Sequence, residues 1–205
     1  MKLTVFGATG GTGRQVVEQA LAGGHQVTVL VRDPAKLAIT HPALTVRRGN
    51  VLEPEDVFNS VSGADAVIVS LGNTANNPDG VVSKGTAHVV DAMQKSGVAR
   101  LIVVTSLGVG ESKDQVPFFF KALIATALRK AMQDKEAQEK IVKASGLDWT
   151  IVRPGGLTDG ARTGAYRYGL DPKIVAGQVS RADVAEFVLK QLTDTQFLRK
   201  APAIT

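Results

Sequence analysis

The chain opens on a short apolar run, Lys2–Phe6, which gives way at once to Gly7-Ala8-Thr9-Gly10-Gly11-Thr12-Gly13 and then to a stretch of helical period. A strand that passes into a helix through clustered glycines turns tightly and leaves backbone N–H groups free at the positive end of the helix. Such a turn attracts a phosphate and lets the backbone approach it closely. Gly7, Thr9, Gly10, Gly11, Thr12 and Gly13 are therefore expected to hold the pyrophosphate of a dinucleotide. The strand–turn–helix context gives the motif its weight, because a lone glycine repeat is also ordinary turn chemistry.

The rest of the chain repeats the same alternation. A helix over about Thr12–Ala22, with Val16, Val17, Ala20 and Leu21 on its apolar face, leads to a strand at Gln26–Val31 that is apolar at nearly every position, as a parallel strand covered on both faces must be. Further strands are predicted at Leu44–Arg47, Ala66–Leu71, Arg100–Thr105 and Trp149–Val152, with a terminal one near Ala203–Thr205. Helices are predicted around Glu53–Val61, over Ser83–Ser96 and in one long stretch from about Pro117 to Ala144. The segment up to Gly177 reads mostly as loop, and Ser180-Arg181-Ala182-Asp183 reads as a capping box for a last helix. Alternation of this kind predicts an α/β fold, a doubly wound parallel sheet of the Rossmann type, as a single domain over residues 1–205. Ligand is then expected above the carboxyl ends of the strands.

Composition narrows the function. With 44% hydrophobic and 21% charged residues and no apolar run near the length of a membrane span, the chain is expected to be soluble, with no membrane partner. It has no cysteine, and His25, His41 and His88 lack ligand spacing, so no metal site is expected. The start is a strand rather than a signal peptide, and a cytoplasmic location follows as an expectation. The net charge of +5 comes from scattered basic residues, which argues against nucleic acid and leaves room for an anionic ligand.

The second strand ends Val31-Arg32-Asp33-Pro34, with a base in the first place beyond it, where a cofactor with a free ribose 2′-hydroxyl usually meets an acid. A guanidinium pairs with a 2′-phosphate through charge-assisted hydrogen bonds, so Arg32, aided by Lys36, predicts NADPH over NADH. The alternative leaves Arg32 as a surface cation and gives the ribose to Asp33. Asn50 and Val51 are placed beside the adenine, and Leu71, Gly72 and Asn73 beneath the ribose and pyrophosphate, although Gly and Asn also occupy ordinary turns.

The glycine turn, Val31-Arg32-Asp33, Val104-Thr105-Ser106 and Thr150-Ile151-Val152-Arg153-Pro154-Gly155, supported by Thr163–Tyr166 and Ser180–Leu192, together resemble the atypical short-chain dehydrogenase/reductases. The likeness runs from about Lys2 to Asp194 and is strongest to the biliverdin reductase B/flavin reductase group. It implies an NADPH-binding monomer or weak homo-oligomer that passes hydride to a planar acceptor such as a flavin, quinone or linear tetrapyrrole. It also implies that Ser106, in the place of the group's serine, lies beside the nicotinamide, and that Thr105, Pro154, Gly155, Gly156 and Leu157 belong to the cofactor-binding residues. The tetrapyrrole-reducing members carry a histidine after the sixth strand. Here that stretch reads Arg153-Pro154-Gly155-Gly156-Leu157, which argues against bile-pigment reduction in particular.

The wider family's Tyr–Lys pair is half present: Lys135 falls in the lysine's place and Ala131 in the tyrosine's. On the helix, Leu128, Lys135 and Val142 share a face, so the ammonium either leans inward to a cofactor ribose or snorkels at the surface beside Glu139. Ser106 and Lys135 are thus the catalytic candidates. Phe118-Phe119-Phe120 with Leu123 and Ile124 reads equally as acceptor pocket, core or partner surface. The function these features favour is NADPH-dependent reduction of a flavin-like or quinone-like acceptor, which needs positioning more than a strong protein acid. Two alternatives stay open: a non-catalytic NADPH sensor resembling the NmrA-type regulators, and a sugar-nucleotide epimerase or dehydratase.

Overall fold

A computed structural model describes the chain at residues 1–74, 77 and 79–205, without the side chains of residues 119, 120, 122 and 125. Strand β1 (Lys2–Phe6) is buried on all but its first residue and lies at the middle of the sheet. It pairs in parallel with β2 (Gln26–Val31) on one side and β4 (Ala66–Val69) on the other. Beyond β2 stands β3 (Leu44–Arg48); beyond β4 stand β5 (Arg100–Val104) and β6 (Asp148–Pro154), all parallel. The sheet closes with β10 (Ala203–Ile204), parallel to β6, and β8 (Tyr168–Gly169), antiparallel to β10. Winding runs outward through β2 and β3, then resumes on the far side of β1, which opens a crevice at the carboxyl ends of β1 and β4.

Alternate strand residues serve opposite faces. Leu3, Val5, Ile68, Ile102 and Val104 pack under α1 (Gly11–Ala22) and α6 (Arg181–Lys190). Phe6, Val67, Val69, Leu101 and Val103 pack under α2 (Pro54–Val61), α3 (Val81–Ser96) and α5 (Arg129–Ala144). This period of two, on strands that are apolar throughout, is what a sheet covered on both faces demands. The fold is the doubly wound α/β Rossmann type, and among the described residues no helix is long and apolar enough to cross a membrane.

Two expectations change. The long helix is two: α4 (Phe118–Ala125) ends at Thr126, at φ −113° and ψ −91°, before α5 begins. The Thr126 hydroxyl donates to the Leu123 carbonyl, a local bond that competes with helix propagation. The break lets Ile124 pack against Val116 and Leu107, while α5 lies against α3. The segment read as loop contains β7 (Gly156–Thr158), which pairs in parallel with β9 (Gln178–Ser180), besides β8. These strands are too short to show alternation. The run Phe118–Phe120 falls partly outside the described side chains, and the loop at 72–80 partly outside the described residues.

Helix α3 starts from Gly80, which sits at φ 78° and offers no side chain to cap the first turn. Asp134 of α5 supplies the cap from 52 residues away, its carboxylate accepting from the Val82 N–H at 3.1 Å and the Ser83 N–H at 3.0 Å. Asp134→Ala strands these donors in a buried site and is expected to lower unfolding free energy by about 2 kcal/mol. Asp134→Asn, which keeps one acceptor oxygen, should lose less. Urea midpoints at constant slope check this; an unchanged midpoint in Asp134→Ala would mean that the cap contributes nothing.

Candidate active site

The carboxyl ends of the parallel strands enclose a cleft of about 570 Å³. Its base is the turn after β1. Gly7 has φ 86°, and a Cβ there would strike the Ser70 carbonyl at the end of β4; one on Gly13 would strike the Gly7 carbonyl. These glycines let β1, β4 and α1 approach one another. Gly10 differs, since a Cβ on it meets nothing nearer than the Gly7 carbonyl at 3.4 Å. Gly7, Thr9, Gly10, Gly11 and Thr12 line the cleft, whereas Gly13 is buried behind it and serves the close approach of helix and strand.

At the end of β2, Arg32 lines the cleft and its Nη2 donates to Asn77 Oδ1 at 2.7 Å. Asn77 Nδ2 in turn donates to the Gly72 carbonyl at 2.9 Å, so the side chain bridges the loops after β2 and β4. Asp33 does not line the cleft: its Oδ1 accepts from the Ala35 N–H at 3.1 Å and caps the short turn Pro34–Lys36. Lys36, on that turn, lies outside the cleft lining. Asn50 and Val51 do line it, and Asn50 Oδ1 accepts from the Leu52 N–H at 3.1 Å. Leu71, Gly72 and Asn73 line it as well.

At the other end stand Thr105, Ser106, Lys135, Pro154, Gly155 and Leu157. Gly156, the first residue of β7, is not among the residues that line the cleft. Ser106 is half-buried, its hydroxyl on the adjacent Leu107 carbonyl at 3.0 Å. Lys135 leans inward, with Nζ 3.5 Å from the Val104 carbonyl oxygen. Desolvation lowers its pKa to about 8, against the upward pull of Asp134 and Glu139. The surface pairing with Glu139 does not form, because that carboxylate is committed elsewhere. It accepts from Arg153 Nε at 2.9 Å and Nη2 at 2.5 Å, and from the Thr105 hydroxyl at 2.9 Å.

Sequence reading missed Asn77, whose partners are set by loop packing, and Arg181, which the capping motif had absorbed into the start of α6. Arg181 lines the cleft over Gly11. Among the described lining residues the charged groups are Arg32, Lys135 and Arg181, with no carboxylate, histidine or tyrosine. The arrangement favours a polyanion. A dinucleotide fits it: a glycine cradle that a side chain at Gly10 would fill, and cations along its length.

The sequence pattern of the NAD(P)H-binding family matches residues 7–195. A chloroplastic protein of Arabidopsis thaliana, described as uncharacterized, is 35% identical over 204 residues, which cover 93% of this chain and 71% of that protein. Among solved structures, the anaerobillin reductase ChuY of Escherichia coli O157:H7 is similar at a TM-score of 0.83 and 27% identity, over 100% of this chain and 96% of that one. A short-chain dehydrogenase/reductase of Veillonella parvula in complex with NADP shares the fold, with a TM-score of 0.81 at 20% identity over 99% of this chain and 93% of that one.

The turn geometry separates two variants. Gly10→Val, at φ −78° and ψ 156°, suits a β-branched residue and projects a side chain into the cradle. It should fold as wild type yet lose nucleotide binding. Gly13→Val drives a side chain into the Gly7 backbone and should fail to fold. Thermal melts paired with NADPH titration check both; a Gly10→Val protein that binds NADPH normally would detach the turn from the cofactor.

Proposed function

The chain belongs to the NAD(P)H-binding family, and from that premise we propose that it is an NADPH-dependent reductase of a planar acceptor, a flavin or a quinone. The grouping with the biliverdin reductase B/flavin reductase proteins is part of this reading. One observation carries it: the serine and the lysine at one end of the cleft share it with the glycine turn and Arg32, and no tyrosine, histidine or carboxylate lines it among the described residues. When bound, NADPH supplies a hydride, and a flavin or quinone that takes it up with one proton is reduced by two electrons.

The residues have separate tasks. The turn holds the pyrophosphate and Arg32 the 2′-phosphate. Ser106 orients the nicotinamide end, and Lys135 binds the adjoining ribose and keeps that end positive. Leu157 and the β6 end screen the reacting face from water. The proton comes from solvent, which an acceptor with a stable reduced anion tolerates and an ordinary ketone does not. This is why the missing tyrosine points away from carbonyl reduction. The protein acts in the cytoplasm as a monomer or weak homo-oligomer.

A second reading, the non-catalytic NADPH sensor, is favoured by the same missing acid and by Phe118 and Leu123, exposed on α4. It predicts binding without turnover. An absorbance screen of NADPH oxidation with FMN, a quinone and a linear tetrapyrrole separates the readings. With a working acceptor, Ser106→Ala should spare NADPH affinity and lower turnover about tenfold, roughly 1.4 kcal/mol of transition-state stabilisation. Full activity in that variant would reduce Ser106 to a strand-end residue. Lys135 is charged below its pKa of about 8 and neutral above it, so the advantage of wild type over Lys135→Met in kcat/KM for NADPH should shrink as pH rises through that value. A pH-independent ratio would remove the charge of Lys135 from the mechanism.

Arg32 sets the cofactor preference. NADPH should bind more tightly than NADH by about 1 to 3 kcal/mol, and Arg32→Ala should erase most of that difference. Competitive titration checks it. A preference that survives the variant would return Arg32 to the surface.

A further inference from the structure

Arg181 belongs to no task assigned above, yet its side chain lies on the phosphate turn. A Cβ on Gly11 would stand 2.6 Å from its Cδ and 2.8 Å from its Nε. Two constraints put it there. Ser180 Oγ accepts from the Asp183 N–H at 2.9 Å and fixes where α6 begins, and α6 packs along α1, so the first residue of one helix meets the first residue of the other.

Its charge is engaged only weakly. Among the described residues the one ion pair of Arg181 is with Asp159, Nη1 to Oδ1 at 2.7 Å, and the Asp159 side chain is 89% exposed. Exposed pairs of this kind contribute little. A guanidinium on a phosphate instead makes charge-assisted, often bidentate bonds. The turn needs such a cation: a helix end carries only about half an elementary charge, against the two negative charges of a pyrophosphate. Arg32 sits at the end of β2 and Lys135 beside the end of β5, which leaves Arg181 as the cation over the turn.

We propose that Arg181 is a pyrophosphate clamp that exchanges Asp159 for the cofactor when NAD(P)H settles on Gly7–Gly13, with Asp159 competing for the guanidinium in the free protein. The proposal rests on the reading that this turn holds the pyrophosphate. It adds a contact supplied by the far end of the chain and a carboxylate that works against binding.

The test measures dissociation constants for NADPH and for 2′-AMP, which carries the 2′-phosphate without a pyrophosphate. Arg181→Gln should weaken NADPH about tenfold, equivalent to roughly 1.4 kcal/mol, reduce the dependence of its affinity on salt, and leave 2′-AMP within about twofold of wild type. Arg181→Lys, which keeps the charge and loses the fork, should fall between. Asp159→Asn breaks the same ion pair while sparing the guanidinium, so it should bind NADPH as tightly as wild type or more tightly. A merely structural pair predicts the opposite, equal weakening in Asp159→Asn and Arg181→Gln, and that result overturns the clamp. So does an unchanged NADPH constant in Arg181→Gln, or an equal loss for both ligands. If Arg181→Gln does not fold, Arg181→Lys and Asp159→Asn decide by the same signs. Failure of the underlying reading looks different: Gly10→Val then binds NADPH as wild type does, whatever Arg181→Gln shows.

Discussion

The Gly7 carbonyl is the point around which the cleft is assembled. It accepts the Gly10 N–H at 3.0 Å to close the turn, and α1 lies so near it that Gly13 has no room for a side chain. Gly7 itself is pressed against the backbone of Ser70, where the chain resumes on the other side of β1. Three backbones thus meet without an intervening side chain. The crevice of the doubly wound sheet opens at that contact, beside the first turn of α1, whose residues Gly11 and Thr12 line it.

Helix α5 organises the other half of the site. Within two turns it carries Asp134 to the α3 cap, Lys135 toward the cleft, Gln138 to the Thr86 hydroxyl at 2.9 Å, and Glu139 to Arg153 and Thr105. The Arg153–Glu139 pair is buried, and such pairs hold only when hydrogen bonds satisfy both partners. Here they do: Glu111 also accepts from Arg153, and hydrogen bonds from Lys143 and Arg153 lower the Glu111 pKa to about 2. By occupying Glu139, this network leaves the neighbouring ammonium of Lys135 without a carboxylate ion pair among the described residues. The strand residue Arg153 therefore shapes the electrostatics of a cleft that it does not line.

What could be read from the chain alone was what depends on neighbours in sequence. The strand, glycine turn and helix at the start are contiguous, and so are the apolar runs of the central strands and the base at Arg32. The split between α4 and α5 was hidden because both halves have helical composition and the break serves Ile124, whose partners Val116 and Leu107 lie on another segment. The β7–β9 pair was hidden by its brevity. Lys135 could be located through family spacing, but its orientation depended on Arg153 taking Glu139. Arg181 was legible only as part of a cap, since its meeting with Gly11 comes from two helices packed at opposite ends of the chain.

The borrowed cap of α3 bears on the order in which the molecule takes shape. The pairings among β1, β2, β3 and β4 use only residues that precede α5 in the chain. The Val82 and Ser83 N–H groups of the first turn of α3, however, have only water for a partner until α5, some fifty residues later in the chain, is docked. The start of α3 is thus anchored only when the helix that carries Lys135 is in place. Placement of α5 does two things at once: it closes the cap of α3 and brings Lys135 to the cleft.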